Sequence, residues 1–169
     1  MLVAARRHAK YGILALTLAF AQLPAVAQVR SAAPPTPIGQ LSIGDGPAVP
    51  IYSFSFGASN PTTAGASGGL GTGKVSMSDM NVMKQADALS APLLRYVTMG
   101  VHLQRARIEI FAKTSGALPA TFDLTDVAVT AYQVSGGDVM ESVSLSFDRI
   151  AMTSGGASFC WDNSTYTAC

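Results

Sequence analysis

Residues 141–152 read ESVSLSFDRIAM and alternate between polar and apolar side chains for most of their length. The apolar residues Val143, Leu145 and Phe147 occupy every second position, with serines between them. Successive side chains of a β-strand point to opposite faces of a sheet. The stretch therefore predicts a strand that buries one face and exposes the other.

The same alternation occurs three times upstream of this strand. Residues 51–56 (IYSFSF) and 74–83 (KVSMSDMNVM) each predict a strand, the second with a bulge near Asp79. Residues 105–113 place small and branched apolar residues on one face and charged residues on the other. These segments predict a half-buried sheet.

Two further strands are predicted directly before the deciding stretch. Residues 120–124 and 127–134 are apolar and β-branched, and the turn-prone pair Thr125 and Asp126 separates them. Residues 135–138 (SGGD) then predict the turn that leads into residue 141. The chain thus contains about six predicted strands joined by polar turns.

One helix is predicted between these strands. Ser90 is placed as the N-cap, Pro92 in the first turn, and Gly100 as the residue that ends the helix. Leu93, Leu94 and Val97 form its apolar stripe. One helix and about six strands predict a mainly β domain, a small barrel or sandwich with the helix at its side.

The N-terminal segment has the pattern of an export signal. Three basic residues, Arg6, Arg7 and Lys10, stand near its start. Residues 12–23 form an uncharged apolar run, and Ala25-Val26-Ala27 follows as a small-x-small cleavage site. Residues 1–27 are therefore predicted to be a signal peptide cleaved between Ala27 and Gln28, so that the mature chain is secreted or periplasmic, with no membrane span.

The composition limits the classes of partner. Hydrophobic residues make up 49% of the chain and charged residues only 12%, with a formal net charge of +1. Without residues 1–27 the formal charge becomes about −2, since three basic residues leave 8 against 10 acidic ones. This charge does not favour nucleic acid as a partner, and the low charge suggests that other copies of the chain cover part of the surface.

The pattern divides the mature chain into three parts. Residues 28–48 are a Pro-rich linker or a weak first strand, with a short edge strand at residues 40–43. Residues 49–153 form the β-domain, and residues 154–169 form a C-terminal tail. The tail holds the only two cysteines, Cys160 and Cys169, which are predicted to form a disulfide in an oxidising compartment; two free thiols are the alternative.

Two motifs in the Gly-rich segment 57–73 resemble enzyme motifs. Residues 68–74 (GGLGTGK) match a P-loop, but Val75 replaces the Ser or Thr that would hold magnesium, and a strand pattern follows instead of a helix. Residues 65–69 (GASGG) match a nucleophile elbow around Ser67, but the segment offers no strained strand-to-helix turn. The one histidine of the predicted mature chain, His102, and two distant cysteines make no metal ligand set. No enzyme activity, metal or cofactor is predicted.

Six stretches, taken together, resemble the Hcp family, the tube proteins of type VI secretion systems. They follow in the family's order and are IYSFSFGASNP (51–61), GKVSMSDMNVMK (73–84), SAPLL (90–94), TMGVHL (98–103), FDLTDVAVTAYQV (122–134) and ESVSLSFDRIAM (141–152). The resemblance implies a tight β-barrel with one flanking helix and no active site. It also implies homohexameric rings that stack into a tube, with effector or spike proteins as further partners.

The segment 57–73 is too long and too poor in bulky side chains to contribute much to its own core. In the Hcp family an extended loop at this position reaches toward the neighbouring ring, so the resemblance implies a subunit or ring contact here. The predicted contact residues are Gly57, Asn60, Pro61, Leu70 and Gly73. The export signal leaves a second hypothesis open, a secreted Hcp-fold binding or surface protein that is no longer part of a tube.

Overall fold

The computed structural model describes residues 35–64, 70–111, 120–136 and 138–169. The predicted signal peptide, with its cleavage site between Ala27 and Gln28, lies outside these residues. The elements in the described ranges are β1 (Gly39–Ile43), β2 (Val49–Ile51), β3 (Ser53–Ser55), β4 (Ala58–Ser59), β5 (Thr62–Ala64), β6 (Leu70–Thr72), β7 (Ser76–Met77), β8 (Met80–Gln85), α1 (Ser90–Met99), β9 (His102–Ile110), β10 (Ala120–Ser135), β11 (Met140–Ser154), β12 (Ala157–Asp162) and β13 (Thr167–Ala168).

One antiparallel sheet of nine strands dominates the fold. Its main order is β13-β12-β11-β10-β9-β1-β2, and β8 joins β11 to β3. Along one of its sides, strand β11 pairs with two different strands. Its first half pairs with β8, where Leu145 lies opposite Met80, and its second half pairs with β12, where Ile150 lies opposite Trp161. The stretch that decides the fold class is thus also the strand on which the sheet divides.

The mainly β class with a single helix is confirmed, but the sheet is not closed into a barrel. Among the described residues, β2 pairs with β1 and β3 pairs with β8, and no ladder joins β2 to β8. The chain passes from one partner to the other at Tyr52, whose N–H donates to the carbonyl oxygen of Met83 at 2.8 Å. The two short strands β2 and β3 thus pair with different neighbours, and the sheet remains open between them.

Strand β10 corrects one prediction. Thr125 and Asp126 do not form a turn, because the pairing with β11 continues on both sides, with Thr125 opposite Arg149 and Val127 opposite Phe147. Asp126 has a φ of 51°, a left-handed conformation that Asp tolerates better than most residues. The strand therefore absorbs the irregular residue instead of ending at it.

Strand β1 also differs from its prediction. It lies between β9 and β2 inside the sheet, not at an edge, and Gly39, Leu41 and Ile43 are buried. Gly39 approaches the neighbouring backbone so closely that an added Cβ would lie 2.2 Å from the carbonyl oxygen of Glu109. The Pro-rich part of the chain thus leads into an integral strand.

Helix α1 spans Ser90–Met99 and ends at Gly100, as predicted, with Gly100 in the left-handed conformation. The N-cap is Leu89, however, and not Ser90. The Ser90 hydroxyl instead accepts the backbone N–H of Asp87 at 2.9 Å, so it ties the preceding turn. Leu93 is the buried residue of the helix, which packs against β10.

The core is made by alternate residues of the long strands, as the period-2 pattern predicts. Burying an aliphatic or aromatic side chain of this kind contributes about 1.5–3 kcal/mol. Three aromatic contacts complete the packing, among Phe54, Phe56, Phe122 and Phe147. The buried apolar residues are Leu41, Ile43, Val49, Ile51, Met80, Val82, Leu93, Ala106, Ile108, Phe122, Leu124, Val127, Val129, Val143, Leu145, Phe147 and Ile150.

Candidate assembly surface

Residues 57–78, called the arm below, form two short ladders of their own. In the described part, β4 pairs with β7 and β5 pairs with β6, in two sheets separate from the main one. Residues 57–73, for which the sequence predicts no strand, therefore contain three short strands in their described part. Small residues such as Thr, Ser and Gly hide the strand pattern from sequence reasoning, because they give no apolar alternation.

The structure pairs two of the predicted contact residues, Pro61 and Gly73, with each other, and Gly57 and Leu70 with other residues of the arm. Gly57 donates its N–H to the Ser78 hydroxyl at 2.9 Å and accepts the Ser78 N–H at 2.9 Å. Pro61 accepts the N–H of Gly73 at 2.8 Å, and Leu70 pairs with residue 64 across the second ladder. The fifth residue, Asn60, is exposed between β4 and β5. Whether these residues contact another subunit stays a prediction.

Glycine is required at position 73 by close contact across the arm. A Cβ on Gly73 would lie 2.6 Å from the carbonyl oxygen of Pro61 and 2.8 Å from its Cγ. A Cβ on Gly57 would meet only the Ser78 hydroxyl, at 3.8 Å, which is ordinary van der Waals contact. Gly57 and Gly73 are thus not equivalent.

The arm meets the main body at its base. Phe56, directly before the arm, and Met77, in β7, are partly buried and pack against the core. Both residues of β4 are exposed, as is Asn60. The arm is therefore anchored to the core at its base.

Residues 157–169, called the C-terminal hairpin below, continue the main sheet. Strand β12 pairs with the end of β11, and β13 pairs with Trp161 and Asp162. A disulfide joins Cys160 and Cys169, whose Cα atoms are 5.3 Å apart. Without the hairpin, the second half of β11 would be an edge of the sheet. The hairpin extends the sheet beyond it by two strands.

The turn of this hairpin is organised by the Asp162 carboxylate. It accepts the N–H groups of Ser164 and Thr165 at 2.9 and 3.1 Å, and Arg149 at 2.8 Å. The Ser164 hydroxyl also donates to it, at 2.5 Å. The bond from Ser164, followed by that from Arg149, lowers the pKa of Asp162 well below its ordinary value. The charged carboxylate thus fixes the turn.

The arm and the C-terminal hairpin touch at one cation–π contact. The Lys74 ammonium lies 3.8 Å from the centre of the Tyr166 ring. A shallow groove of about 330 Å³ runs beside this contact, lined by residues of both segments. The P-loop match would place Lys74 on a phosphate. In the structure its ammonium lies against the Tyr166 ring instead.

A buried ion pair links three elements of the body. Lys84 on β8 and Glu141 on β11 lie directly opposite each other, 2.5 Å apart, and both are buried. Tyr132 donates to Glu141 at 2.7 Å, and Asp87 and Ser90 bring the start of α1 to Lys84 at 2.9 and 3.3 Å. Buried charges require such partners, because desolvation otherwise makes them unfavourable.

In this cluster the pKa of Glu141 is lowered and the pKa of Tyr132 is raised. Burial raises the pKa of Glu141, but hydrogen bonds from Lys84, Ser90 and Tyr132 outweigh it, so the net shift is downward. Burial and the bond to Glu141 both raise the pKa of Tyr132. The carboxylate therefore stays charged and the phenol stays neutral over a wide pH range.

The outer face of the sheet carries paired charges. Arg105 contacts Asp45, and Arg107 lies 3.3 Å from Glu109 and 3.4 Å from Asp123. These side chains stand on β9, β10 and the turn after β1, where their positions are solvent-accessible. Since positive and negative groups alternate there, the face carries little net charge and suits contact with water.

Several large apolar side chains are exposed instead of buried. Leu94 and Met99 on α1 are 51% and 64% exposed, and Phe159 on β12 is 59% exposed. Phe159 lies directly opposite Met152 of β11, which is also exposed. Exposed apolar groups of this size mark surfaces that other molecules cover.

The residues of the enzyme motifs do not form a site in the described part of the chain. Ser67 lies outside the described residues, and His102 is exposed at the start of β9. Among the residues that the structure describes, no group of three or more His, Cys, Asp or Glu side chains could hold a metal ion. In the same residues, no helix is long and apolar enough to cross a membrane.

The comparison with protein families decides the identity of this domain. The profile of the family described as "Type VI secretion system effector, Hcp" matches residues 47–153, more than half of the chain. The chain belongs to the Hcp family. The match begins just before β2 and ends within β11, so it includes the arm, the helix and the buried ion pair of this Hcp domain.

Solved structures show the same fold. One, described as a type six secretion system protein, has a TM-score of 0.70 and 22% identity, covering 79% of this chain and 100% of its own. Hcp1 from Salmonella typhimurium has a TM-score of 0.65 and 20% identity, covering 78% and 97%. Hcp1 from Flavobacterium johnsoniae has a TM-score of 0.59 and 18% identity, covering 75% and 99%. No curated protein sequence matches the chain.

Sequence reasoning missed the buried pair in this Hcp domain. Lys84 continues the inward positions of Met80 and Val82, and Glu141 continues those of Val143 and Leu145. The sequence signal for this pair was a charged residue of opposite sign at an inward-facing position of each of the two strands. The contact of Tyr166 with Lys74 had no comparable signal, because it joins segments that are distant in sequence.

Proposed function

We propose that this chain is a structural, non-enzymatic subunit of the Hcp type, whose copies form six-membered rings that stack into a tube. The observation that supports this most strongly is the family match over residues 47–153, which spans the domain from β2 to β11. Membership of the Hcp family supports a tube-forming role in type VI secretion. The proposal extends that role to ring formation by this chain.

The arm is the segment proposed to contact a neighbouring subunit or ring. Its two ladders are separate from the main sheet, and among the residues whose burial the structure describes, it meets the core at its base, through Met77. Ordering a chain segment has an entropic cost of about 1–2 kcal/mol per residue, which buried contacts normally offset. An arm with little core of its own gains those contacts by packing on another copy.

The exposed apolar side chains support further contacts between copies. Leu94 and Met99 are presented by the helix, and Phe159 and Met152 by the sheet edge. Covering them would remove apolar surface from water, which stabilises association by about 25 cal/mol per Å² buried. Closure of the open sheet into a continuous barrel is part of the same proposal, with the two short strands β2 and β3 as the place where it would occur.

Export of the mature chain is proposed from the N-terminal pattern. A signal peptide cleaved between Ala27 and Gln28 would place the protein in the periplasm or outside the cell. The Cys160–Cys169 disulfide supports this, because disulfides persist mainly in oxidising compartments. Effector or spike proteins are the further partners that a type VI role implies.

The test compares the wild-type chain with an arm-shortened variant in which a short Gly-Ser turn joins Gly57 to Ser78. Light scattering and negative-stain microscopy should show rings for the wild type and single subunits for the variant. The two melting temperatures should be similar, because the arm adds little core. The exposed substitution Asp138→Ala, in the turn before β11, is the control and should leave rings intact.

Two results would change the conclusion. Wild-type and shortened chains that are both monomeric would overturn the ring proposal and favour a secreted binding or surface protein that keeps the Hcp fold. The signal pattern and the disulfide hairpin beyond the family match are the observations that favour this alternative. Rings that survive removal of the arm would instead move the contact to the exposed apolar side chains.

A further inference from the structure

We propose that the C-terminal hairpin is an internal clamp that holds the arm in one direction, with the Tyr166 ring on Lys74 as the point of contact. The contact joins the segment after the family match to a segment within it. The clamp acts within one chain, so it does not require a ring. Its benefit for assembly, however, rests on the proposed contact role of the arm.

The arm has few other connections to the body. Its ladders hold its two sides together, but β4 pairs only with β7 and β5 only with β6 in the described residues. At the base, the paired bonds of Gly57 and Ser78 fix where the arm begins. A two-residue ladder such as β4–β7 leaves the direction of the arm weakly determined. A second point of attachment away from the base would determine it.

The C-terminal hairpin is built to be such a fixed point. Its two strands are joined by the Cys160–Cys169 disulfide, although their ladder has only two residue pairs. Asn163 ties the turn to β11, since its N–H donates to Asp148 at 2.7 Å and its amide donates to Phe147 at 3.1 Å. The Asp162 carboxylate holds the following residues. The hairpin is thus secured at its open end and at its turn.

Tyr166 stands at the end of this secured turn in an unusual conformation. Its φ of 57° is in the left-handed region, which is uncommon for a bulky residue. Such conformations persist only where surrounding contacts determine them. The side chain is nevertheless 46% exposed, so it is not held there by core packing. Its ring contact with Lys74 is the interaction that this conformation provides.

Lys74 is equally well placed on the arm. It follows Gly73, whose N–H bonds to Pro61 across the arm, and it precedes β7. A contact at this residue is therefore transmitted to both sides of the arm. Fixing the arm before association lowers the entropy lost when it meets a partner, and so strengthens binding without adding any new contact.

Hydrogen exchange of the arm amides tests the clamp on the full chain at a concentration where it is monomeric. Lys74→Gln and Tyr166→Leu should each speed exchange at the N–H groups of Gly73 and Ser78 about two- to fivefold, the effect expected for one exposed cation–π contact. Lys74→Arg should retain slow exchange, because it keeps the cation on the ring. Arg95→Gln, on exposed α1, removes a charge elsewhere and should change nothing.

The outcomes separate the clamp from the ring proposal. Equal exchange in wild type, Lys74→Gln and Tyr166→Leu would overturn the clamp, whatever the chain assembles into. Faster exchange in both variants, reversed in Lys74→Arg, supports it even if no rings form. Faster exchange in Lys74→Gln alone, with Tyr166→Leu unchanged, would also overturn it, because the lysine would then act without the ring.

Discussion

The body of the domain and its two peripheral segments are held together by different physics. In the body, alternate apolar side chains of long strands are buried and surround the Lys84–Glu141 pair. In the arm and the C-terminal hairpin, short ladders, one disulfide and one surface cation–π contact supplement the limited core packing of Met77 and Trp161. The difference teaches that the two regions can respond differently to substitution, since contacts of one region can change without unfolding the other.

The largest effect is expected in the body. Glu141→Ala leaves the Lys84 ammonium buried without its closest partner, and breaking a buried pair on one side costs about 3–5 kcal/mol. For a domain of this size that lowers the melting temperature by roughly 10 °C or more. Thermal and urea unfolding measure the loss.

A double variant sharpens this prediction. Lys84→Met with Glu141→Leu removes both charges and fills similar volume, which is often neutral for a buried pair. The double variant should therefore be clearly more stable than Glu141→Ala. Equal instability of the two would show that packing at these positions, and not the unpaired charge, determines the stability.

A smaller effect is expected at the C-terminal hairpin. Replacing Cys160 and Cys169 by Ser opens a short loop whose closure is worth at most about 2.5 kcal/mol in the chain-entropy model. Because the hairpin is peripheral, most of this loss should appear as faster exchange in β12 and β13, with a modest fall in melting temperature. Thiol titration of the denatured, unreduced wild type should find no free thiols, and two per chain would contradict the disulfide.

The pH dependence of stability should come from the body cluster and, at the acid end, also from Asp162, whose pKa is lowered in the fold. The pKa of Glu141 is lowered in the fold, so its contribution is present above its ordinary value of 4.5 and is lost as the pH falls through the folded value. The pKa of Tyr132 is raised, so its contribution is present below 10.0 and is lost as the pH rises beyond it. The urea concentration at the unfolding midpoint should be nearly constant between these two pH values. Tyr132→Phe should abolish the loss of stability at alkaline pH and leave the loss at acid pH unchanged.

The smallest effect is expected in the arm. Gly73→Ala places a Cβ against Pro61, so the arm must open locally, whereas Gly57→Ala makes only ordinary contact. The melting temperature should be nearly unchanged in both variants, and exchange of the Gly57 and Ser78 N–H groups should rise only for Gly73→Ala. A large fall in melting temperature for Gly73→Ala would show that the arm is part of the cooperative body.

Sequence reasoning predicted the body better than the periphery, for physical reasons. Period-2 alternation identifies Val143, Leu145 and Phe147 as buried, because a long half-buried strand imposes that pattern. Turn propensity was wrong at Asp126, where pairing on both sides overrides the local preference. Sequence reasoning also did not predict the short ladders of the arm.

The candidate surface was predicted less completely than the fold. The arm position and the cysteine pair could be located from composition and spacing alone. The contact between Tyr166 and Lys74 could not, because it depends on how the hairpin turn is placed on β11. Contacts between distant segments follow from topology, and a single sequence does not encode them as a pattern.

The last strand of the sheet has a consequence for the behaviour of the chain at high concentration. Strand β13 is only two residues long, and the Cys160–Cys169 bond prevents it from peeling away. The free rim of a sheet is a template on which foreign strands can grow into aggregates, and a very short rim offers them few hydrogen bonds. The short rim therefore offers little template for fibrous growth when many copies of the chain meet.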